Sequence, residues 1–335
     1  MSGAAAERPV GIDEIRAAAG RLDGVAVETP LLESPLLNRV AGRRVLVKAE
    51  CLQLTGSFKF RGAWSALTDL AEPARARGVI AYSSGNHAQG VAHAAERLGV
   101  PAVIVMPADA PALKRRNTEA HGAEVVPYDR ANRESREAKG QAIAAARGLS
   151  LVKPYDDLRV IAGQGTCGLE IARQAAAAGV RTGDVLVCTG GGGLASGISL
   201  ALAEEAPGLR VRTAEPEGFD DWARSLAAGR RERNASETGS ICDAILTPMP
   251  GELPWPILAP RAGPGLAVSD AEVMRAMALA FLRLKLVLEP GGAVALAAAL
   301  FRREAIAGDT VICLASGGNV DPAVFAEALA LEAAA

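Results

Sequence analysis

The chain has 335 residues, half of them hydrophobic, with 36 glycines and only 3 histidines. Lys and Arg number 36 against 38 Asp and Glu, and a net charge of -2 supplies no field that would draw in nucleic acid or an anionic membrane surface. The longest apolar runs, such as Ala293 to Phe301, are too short to span a bilayer, and the first ten residues carry Glu7 and Arg8 with no apolar leader core, so no membrane role and a cytoplasmic location are expected.

Five cysteines, at positions 51, 167, 188, 242 and 313, are odd in number and widely spaced, with no C-x-x-C pair. Reduced, buried thiols fit that pattern. His87, His93 and His121 leave little material for a histidine metal site, because His87 and His93 are six apart and do not share a helical face well. The chemistry is therefore expected from a cofactor or a lysine.

In chain order, Val- and Ile-rich runs closed by Gly, Pro, Ser or Asn predict strands over Arg44 to Lys48, Val79 to Tyr82, Ala102 to Met106 and Glu124 to Tyr128. Further strands are predicted at Leu151 to Val152, Asp184 to Cys188, Arg210 to Ala214 and Thr310 to Leu314. Helical periods fill the gaps, so the class is α/β with mostly parallel sheet flanked by helices. A compact strand and helix series from about 78 to 150 suggests a small domain inserted in a larger one made of both chain ends. No 20 to 50 residue repeat is visible. Residues 230–264, with six prolines between positions 248 and 264, predict an irregular excursion that is functional or meets another subunit.

Four loops carry candidate chemistry. In Thr55-Gly56-Ser57-Phe58-Lys59-Phe60-Arg61, Ser57 is placed to cap a helix with Lys59 in its first turn, where the helix dipole lowers the amine pKa. Solvated charges at a helix start are the alternative. Ser83-Ser84-Gly85-Asn86-His87 follows a strand and opens a helix, which offers free N–H groups to a carboxylate; an ordinary cap by Asn86 is the alternative. Gly190-Gly191-Gly192-Gly193-Leu194, again between strand and helix, points to a bound phosphate or to a flexible turn. Ala315-Ser316-Gly317-Gly318-Asn319 is a further small-residue loop at a strand end, with a plain left-handed turn at the two glycines as its alternative.

Taken together, in this order and spacing, the four motifs resemble the pyridoxal-phosphate enzymes of the tryptophan synthase β-like fold (fold type II), and within them the serine/threonine dehydratase and serine racemase family. The resemblance runs from about Ile12 to Val324. It implies a large domain of residues 1–75 and 152–335, a small domain of residues 76–151 carrying the substrate-carboxylate loop, and cofactor between them. It leaves no segment for a C-terminal regulatory domain. Lys59 matches the Schiff-base lysine and proton acceptor, Gly190, Gly191, Gly192, Gly193 and Leu194 the phosphate cradle, Asn86 the partner of the ring hydroxyl, Phe58 a neighbour of the ring, and Ser316 the serine opposite the pyridine nitrogen. The substrate carboxylate is expected on Ser84, Gly85, Asn86 and His87.

The implied reaction is β-elimination of L-threonine or L-serine to a 2-oxoacid and ammonia by a homodimer. Ser84 stands where threonine dehydratases of the family usually carry Ala, and in the racemases and 3-hydroxyaspartate dehydratases that serine is a second acid/base, so both activities stay open. Arg136 aligns with a small-domain arginine of those enzymes and is either a contact for an anionic substrate or an exposed helix charge. The segment from Glu215 to Asp221 resembles the family's cation loop, with Glu215, the Phe219 carbonyl and Asp221 as oxygen ligands for Mg²⁺ or Ca²⁺. Leu54 replaces the lysine of nucleotide-activated racemases, so ATP activation is not expected. A metabolite-binding protein that kept the cleft but lost turnover is the non-enzyme alternative.

Overall fold

The computed structural model describes residues 10–333 apart from 111, 130, 131 and 133; of residues 112–114 it describes the backbone. Among the described residues, ten strands form two sheets. The strands are β1 (Leu31–Glu33), β2 (Arg44–Lys48), β3 (Val79–Tyr82), β4 (Ala102–Pro107), β5 (Glu124–Tyr128), β6 (Ser150–Leu151), β7 (Gly183–Cys188), β8 (Leu209–Pro216), β9 (Leu266–Val268) and β10 (Thr310–Leu314). One sheet runs β1-β2-β10-β7-β8-β9, with only β1 antiparallel, and the other runs β5-β4-β3-β6, all parallel. The central strands are apolar runs because helices cover both faces; Val45, Val47, Val185, Val187, Val311 and Cys313 are fully buried. β1 and β9 are additions to the predicted set, each three residues long and too short to show an alternating pattern.

Because the six-stranded sheet is parallel between β2 and β9, the loops after β7, β8 and β10 all leave from one edge, the carboxyl edge where α/β proteins bind ligands. The helix Leu158–Ala177 sets the spacing behind them. It lies between the helix Lys59–Thr68 and the helix Gly193–Glu205, and glycines let the backbones touch. A Cβ on Gly163 would sit 2.5 Å from Arg61 O, and one on Gly197 would overlap Ile161 O. Any side chain there would push apart the two helices that carry Lys59 and the tetraglycine loop, an overpacking cost of about 1–3 kcal/mol or more.

The Lys59 helix is also held by charge. Arg61, 1 % exposed, donates from Nε and Nη2 to the Glu50 carboxylate at 2.8 Å each and from Nη1 to Glu170 Oε1 at 2.6 Å. Lys48, likewise buried, pairs with Glu170 on the other side. Arg61 is thus not the solvated charge that the sequence left open. Buried charges of this kind are tolerable only when fully paired, and removing one partner typically costs about 3–5 kcal/mol.

Candidate active site

One cavity is lined by residues of all four loops: Phe58 and Lys59, Ser83 to His87, Gly190 to Leu194, and Ser316. Arg136 from the helix Arg136–Arg147 reaches the same cavity, and so do Tyr155 and Glu289. Lys59 Nζ donates to Pro154 O at 2.9 Å and lies 5.0 Å from the Phe58 ring centroid. Burial pulls its pKa down to about 8, against the opposing pull of Glu289. A neutral amine at that position is accessible near neutral pH, as a carbonyl-capturing lysine requires. Burial is the leading cause, and Lys59 stands at the first position of its helix, within the first turn as the sequence predicts.

The expected cap by Ser57 is not made. Ser57 is fully buried in extended conformation, its Oγ has no hydrogen-bond partner, and it bridges antiparallel to Gly317. Phe58 N donates to Ser316 O at 3.1 Å and Gly318 N to Gly56 O at 2.9 Å. The first and fourth loops are therefore zipped together, and the first helical turn is positioned by this pairing.

Asn86 does not cap its helix either. Gly85 holds the cap position and the Asn86 side chain turns away, donating to Glu289 Oε1 at 2.5 Å and accepting from Asn319 Nδ2 at 2.8 Å. The N–H groups of the first turn are left pointing toward the cavity end of the helix, where an anion is favoured. His87 Nε2 lies 2.9 Å from Val152 O, and burial together with Lys59 pulls its pKa to about 3. It stays a neutral, donating imidazole, so its contribution to an anion is its backbone N–H. Ser84 lies on the cavity wall.

The tetraglycine is required by contact as well as by conformation. A Cβ on Gly191 would overlap the Tyr155 ring, and Gly192 adopts φ 97° just before the helix Gly193–Glu205. Trp222 Nε1 donates to Gly190 O at 2.7 Å and Gly251 N to Gly191 O at 3.0 Å, so this loop is held on both sides and is not a flexible turn. The following helix, 13 residues long, presents its free N–H groups to the same cavity, a cradle shaped for phosphate. Gly317 and Gly318 have no positive φ. They are glycines because a Cβ on the first would overlap Glu289 Oε1 and one on the second would lie 2.6 Å from Val287 O. A nearby lysine, a phosphate-shaped cradle and the Ser316 and Asn86 side chains fit pyridoxal phosphate.

Arg136 is half-exposed, pairs with Glu137 at 2.7 Å, and lies 5.8 Å from the Tyr82 ring centroid. Sequence reasoning missed Glu289, Tyr155 and the wall formed by Asp243 to Thr247. The Glu-Pro-Gly-Gly run at 289–292, a carboxylate before a helix-starting proline, was the available signal for Glu289. Residues 243–247 belong to the excursion expected from its prolines, which thus meets the cavity.

The loop from Glu215 to Asp221 is separate. Glu215 is fully buried and accepts from Trp222 N at 2.8 Å and Ala223 N at 2.9 Å. Asp221, 2 % exposed, accepts from Asn234 Nδ2 at 2.7 Å on one oxygen, and its other oxygen is buried without a partner. Burial raises both carboxyl pKa values, Asp221 to about 7. Phe219 is buried beside them. Two buried carboxylates and an orphaned oxygen fit a hard cation.

A family model described as pyridoxal-phosphate dependent enzyme matches residues 23–317. L-threo-3-hydroxyaspartate ammonia-lyase of Saccharomyces cerevisiae is 40% identical over 305 residues, covering 91% of each chain. Serine racemase of Schizosaccharomyces pombe is 38% identical, covering 92% of this chain and 94% of its own. The crystal structure of the T.th. threonine deaminase superposes with a TM-score of 0.86 at 43% identity, covering 93% of this chain and 99% of that one. The chain therefore belongs to the pyridoxal-phosphate-dependent enzymes, in the serine/threonine dehydratase and serine racemase group with the tryptophan synthase β-like fold.

Proposed function

We propose that the enzyme is an ammonia-lyase for small 3-hydroxy amino acids, with 3-hydroxyaspartate ahead of L-threonine and L-serine. The observation that carries this order is Arg136 on the wall of the cavity that contains Lys59. Threonine and serine have no second carboxylate for that guanidinium, whereas 3-hydroxyaspartate has one. The 40% and 41% identity to two L-threo-3-hydroxyaspartate ammonia-lyases supports the same order.

In this reading, Lys59, Asn86, Ser316, Phe58 and Gly190 to Leu194 hold the cofactor, which when bound supplies an electron sink for the Cα–H bond. Lys59 Nζ takes the Cα proton. The α-carboxylate rests on the N–H groups of Gly85, Asn86 and His87 and on the Ser84 hydroxyl. The β-hydroxyl leaves as water, and hydrolysis of the resulting imine releases ammonia and the 2-oxoacid, oxaloacetate from 3-hydroxyaspartate. Residues 76–151 act as the small domain that brings Ser84 and Arg136 to the cofactor face. The Glu215, Phe219 and Asp221 loop holds Mg²⁺ or Ca²⁺, and the assembly is a homodimer.

Ammonia and 2-oxoacid release from L-threonine, L- and D-serine, and both threo and erythro 3-hydroxyaspartates tests the proposal. The highest kcat/KM is expected with a 3-hydroxyaspartate. D-serine as the main product from L-serine, with little pyruvate, would overturn the lyase assignment in favour of the racemase. Borohydride reduction is expected to leave the pyridoxyl group on the peptide containing Lys59.

A further inference from the structure

Two of the three histidines take no part in the cleft. His93 and Glu96 stand three residues apart on the helix Asn86–Leu98 and so share a face. His121 reaches them from the turn after the helix Ala112–Ala120. His93 Nδ1 and His121 Nδ1 lie 3.1 and 2.8 Å from the same oxygen, Glu96 Oε2, and the two imidazole centroids are 4.7 Å apart. The three prospective ligand atoms all lie within 4.8 Å of one another, and no other group of three His, Cys, Asp or Glu residues does so among the described residues.

We infer that His93, Glu96 and His121 form a binding site for one divalent transition-metal ion of the zinc class, completed by water. Two imidazoles and one carboxylate are a borderline ligand set that suits Zn²⁺, whereas Mg²⁺ and Ca²⁺ favour oxygen alone. Ligand atoms around a tetrahedral zinc ion stand about 3.3 Å apart, so small side-chain movements bring these three into place. The side chains are 21%, 47% and 27% exposed, which leaves an entry path and room for water. The His93 ring packs 5.5 Å from the ring of fully buried Phe60, which limits its rotation. All five cysteines are buried, so no thiol of the folded chain competes. The scarcity of histidine noted in the sequence thus does not exclude a histidine site: His93 finds its partner not on its own helix but across the helix pair. A bound ion would fasten the turn at His121 to the helix that begins with Asn86.

The test is Zn²⁺ binding to holoenzyme stripped of transition metals, by equilibrium dialysis with Mg²⁺ in excess to occupy sites for hard cations. The expected result is one Zn²⁺ per chain, with affinity reduced by at least about tenfold in His121→Ala and in Glu96→Gln. Co²⁺ in place of Zn²⁺ should give visible ligand-field bands in wild-type protein that both variants lack. Both substitutions are at surface positions, and the pyridoxal absorbance of each variant reports that it is folded. Wild-type protein that binds no Zn²⁺, or folded variants that bind it as tightly, would overturn the inference.

Discussion

Asn86 donates from Nδ2 to Glu289 Oε1 at 2.5 Å, joining two segments 203 positions apart in sequence. Asn319 completes the chain, donating to Asn86 Oδ1 at 2.8 Å and sharing its amide with Thr55 O at 2.7 Å. The loop before Lys59, the loop proposed to hold substrate, the Ser316 loop and the start of the helix Pro290–Phe301 are therefore tied together through two side-chain amides, those of Asn86 and Asn319. Glu289 is also the charge that opposes the effect of burial on Lys59. One carboxylate thus influences both the orientation of Asn86 and the protonation of the lysine.

That link gives a pH prediction for apoprotein. Lys59 has its pKa lowered to about 8 from an ordinary 10.5, chiefly by burial. Capture of pyridoxal phosphate by the neutral amine should reach half its maximal rate near pH 8. Glu289→Gln removes a charge that raises the pKa, so its midpoint should move to lower pH. Between pH 8 and 10.5 the unfolded chain holds the extra proton, so this group's contribution makes stability rise with pH across that window. Below pH 8 the full cost remains, about 3 kcal/mol. Lys59→Met apoprotein should accordingly gain stability over wild type at about pH 7 and lose that advantage by about pH 10.5, as urea unfolding would show. An advantage independent of pH would contradict the assignment.

The parallel strands and the four loops were legible because each strand end is followed by small residues that only a turn or a close approach explains. The excursion at 230–264 was also legible, from its prolines, but not what it touches. Glu289 and Tyr155 were not, because their role depends on contacts across the fold: Tyr155 fills the space left by Gly191, and Glu289 the space left by Gly317. Gly163, Gly165 and Gly197 carry no local signal that sets them apart in a glycine-rich chain. They prove to be the points where three helix backbones meet, which no local pattern reveals. The Lys59 pKa was anticipated in direction but its leading cause was not, since burial is a tertiary property.

Substrate choice should turn on Arg136. A charge-assisted contact to a second carboxylate is worth about 1.5–3 kcal/mol, or about 10- to 100-fold in kcat/KM. Arg136→Met should therefore lose about that factor with 3-hydroxyaspartate and change L-serine and L-threonine turnover by less than about threefold. Steady-state kinetics on the three substrates decides it; an equal loss on all three would make Arg136 a structural residue of its helix.

Ser84 separates elimination from racemisation. If its hydroxyl is the second acid/base, Ser84→Ala should abolish D-serine formation from L-serine while pyruvate formation persists. A hydroxyl that only binds the substrate carboxylate predicts a different outcome, with KM rising and both products falling in the same ratio. Chiral separation of the products alongside a pyruvate assay distinguishes the two.

The buried carboxylates of Glu215 and Asp221 set the last expectation. The unpartnered oxygen of Asp221 is shut off from solvent, so charging it is costly unless a cation is present. A divalent ion held at about 100 times its dissociation constant contributes about 2.7 kcal/mol. For a chain of this size, EDTA should lower the melting temperature of the holoenzyme by about 4 °C, and Mg²⁺ or Ca²⁺ should restore it. Asp221→Asn removes one negative charge and should make the melting temperature insensitive to EDTA. Both measurements belong in a His121→Ala background, where no zinc-class ion bound with His93 and Glu96 contributes to what EDTA removes. Holoenzyme whose melting is the same in EDTA, Mg²⁺ and Ca²⁺ would show that the helix N–H groups of Trp222 and Ala223 are all that Glu215 requires.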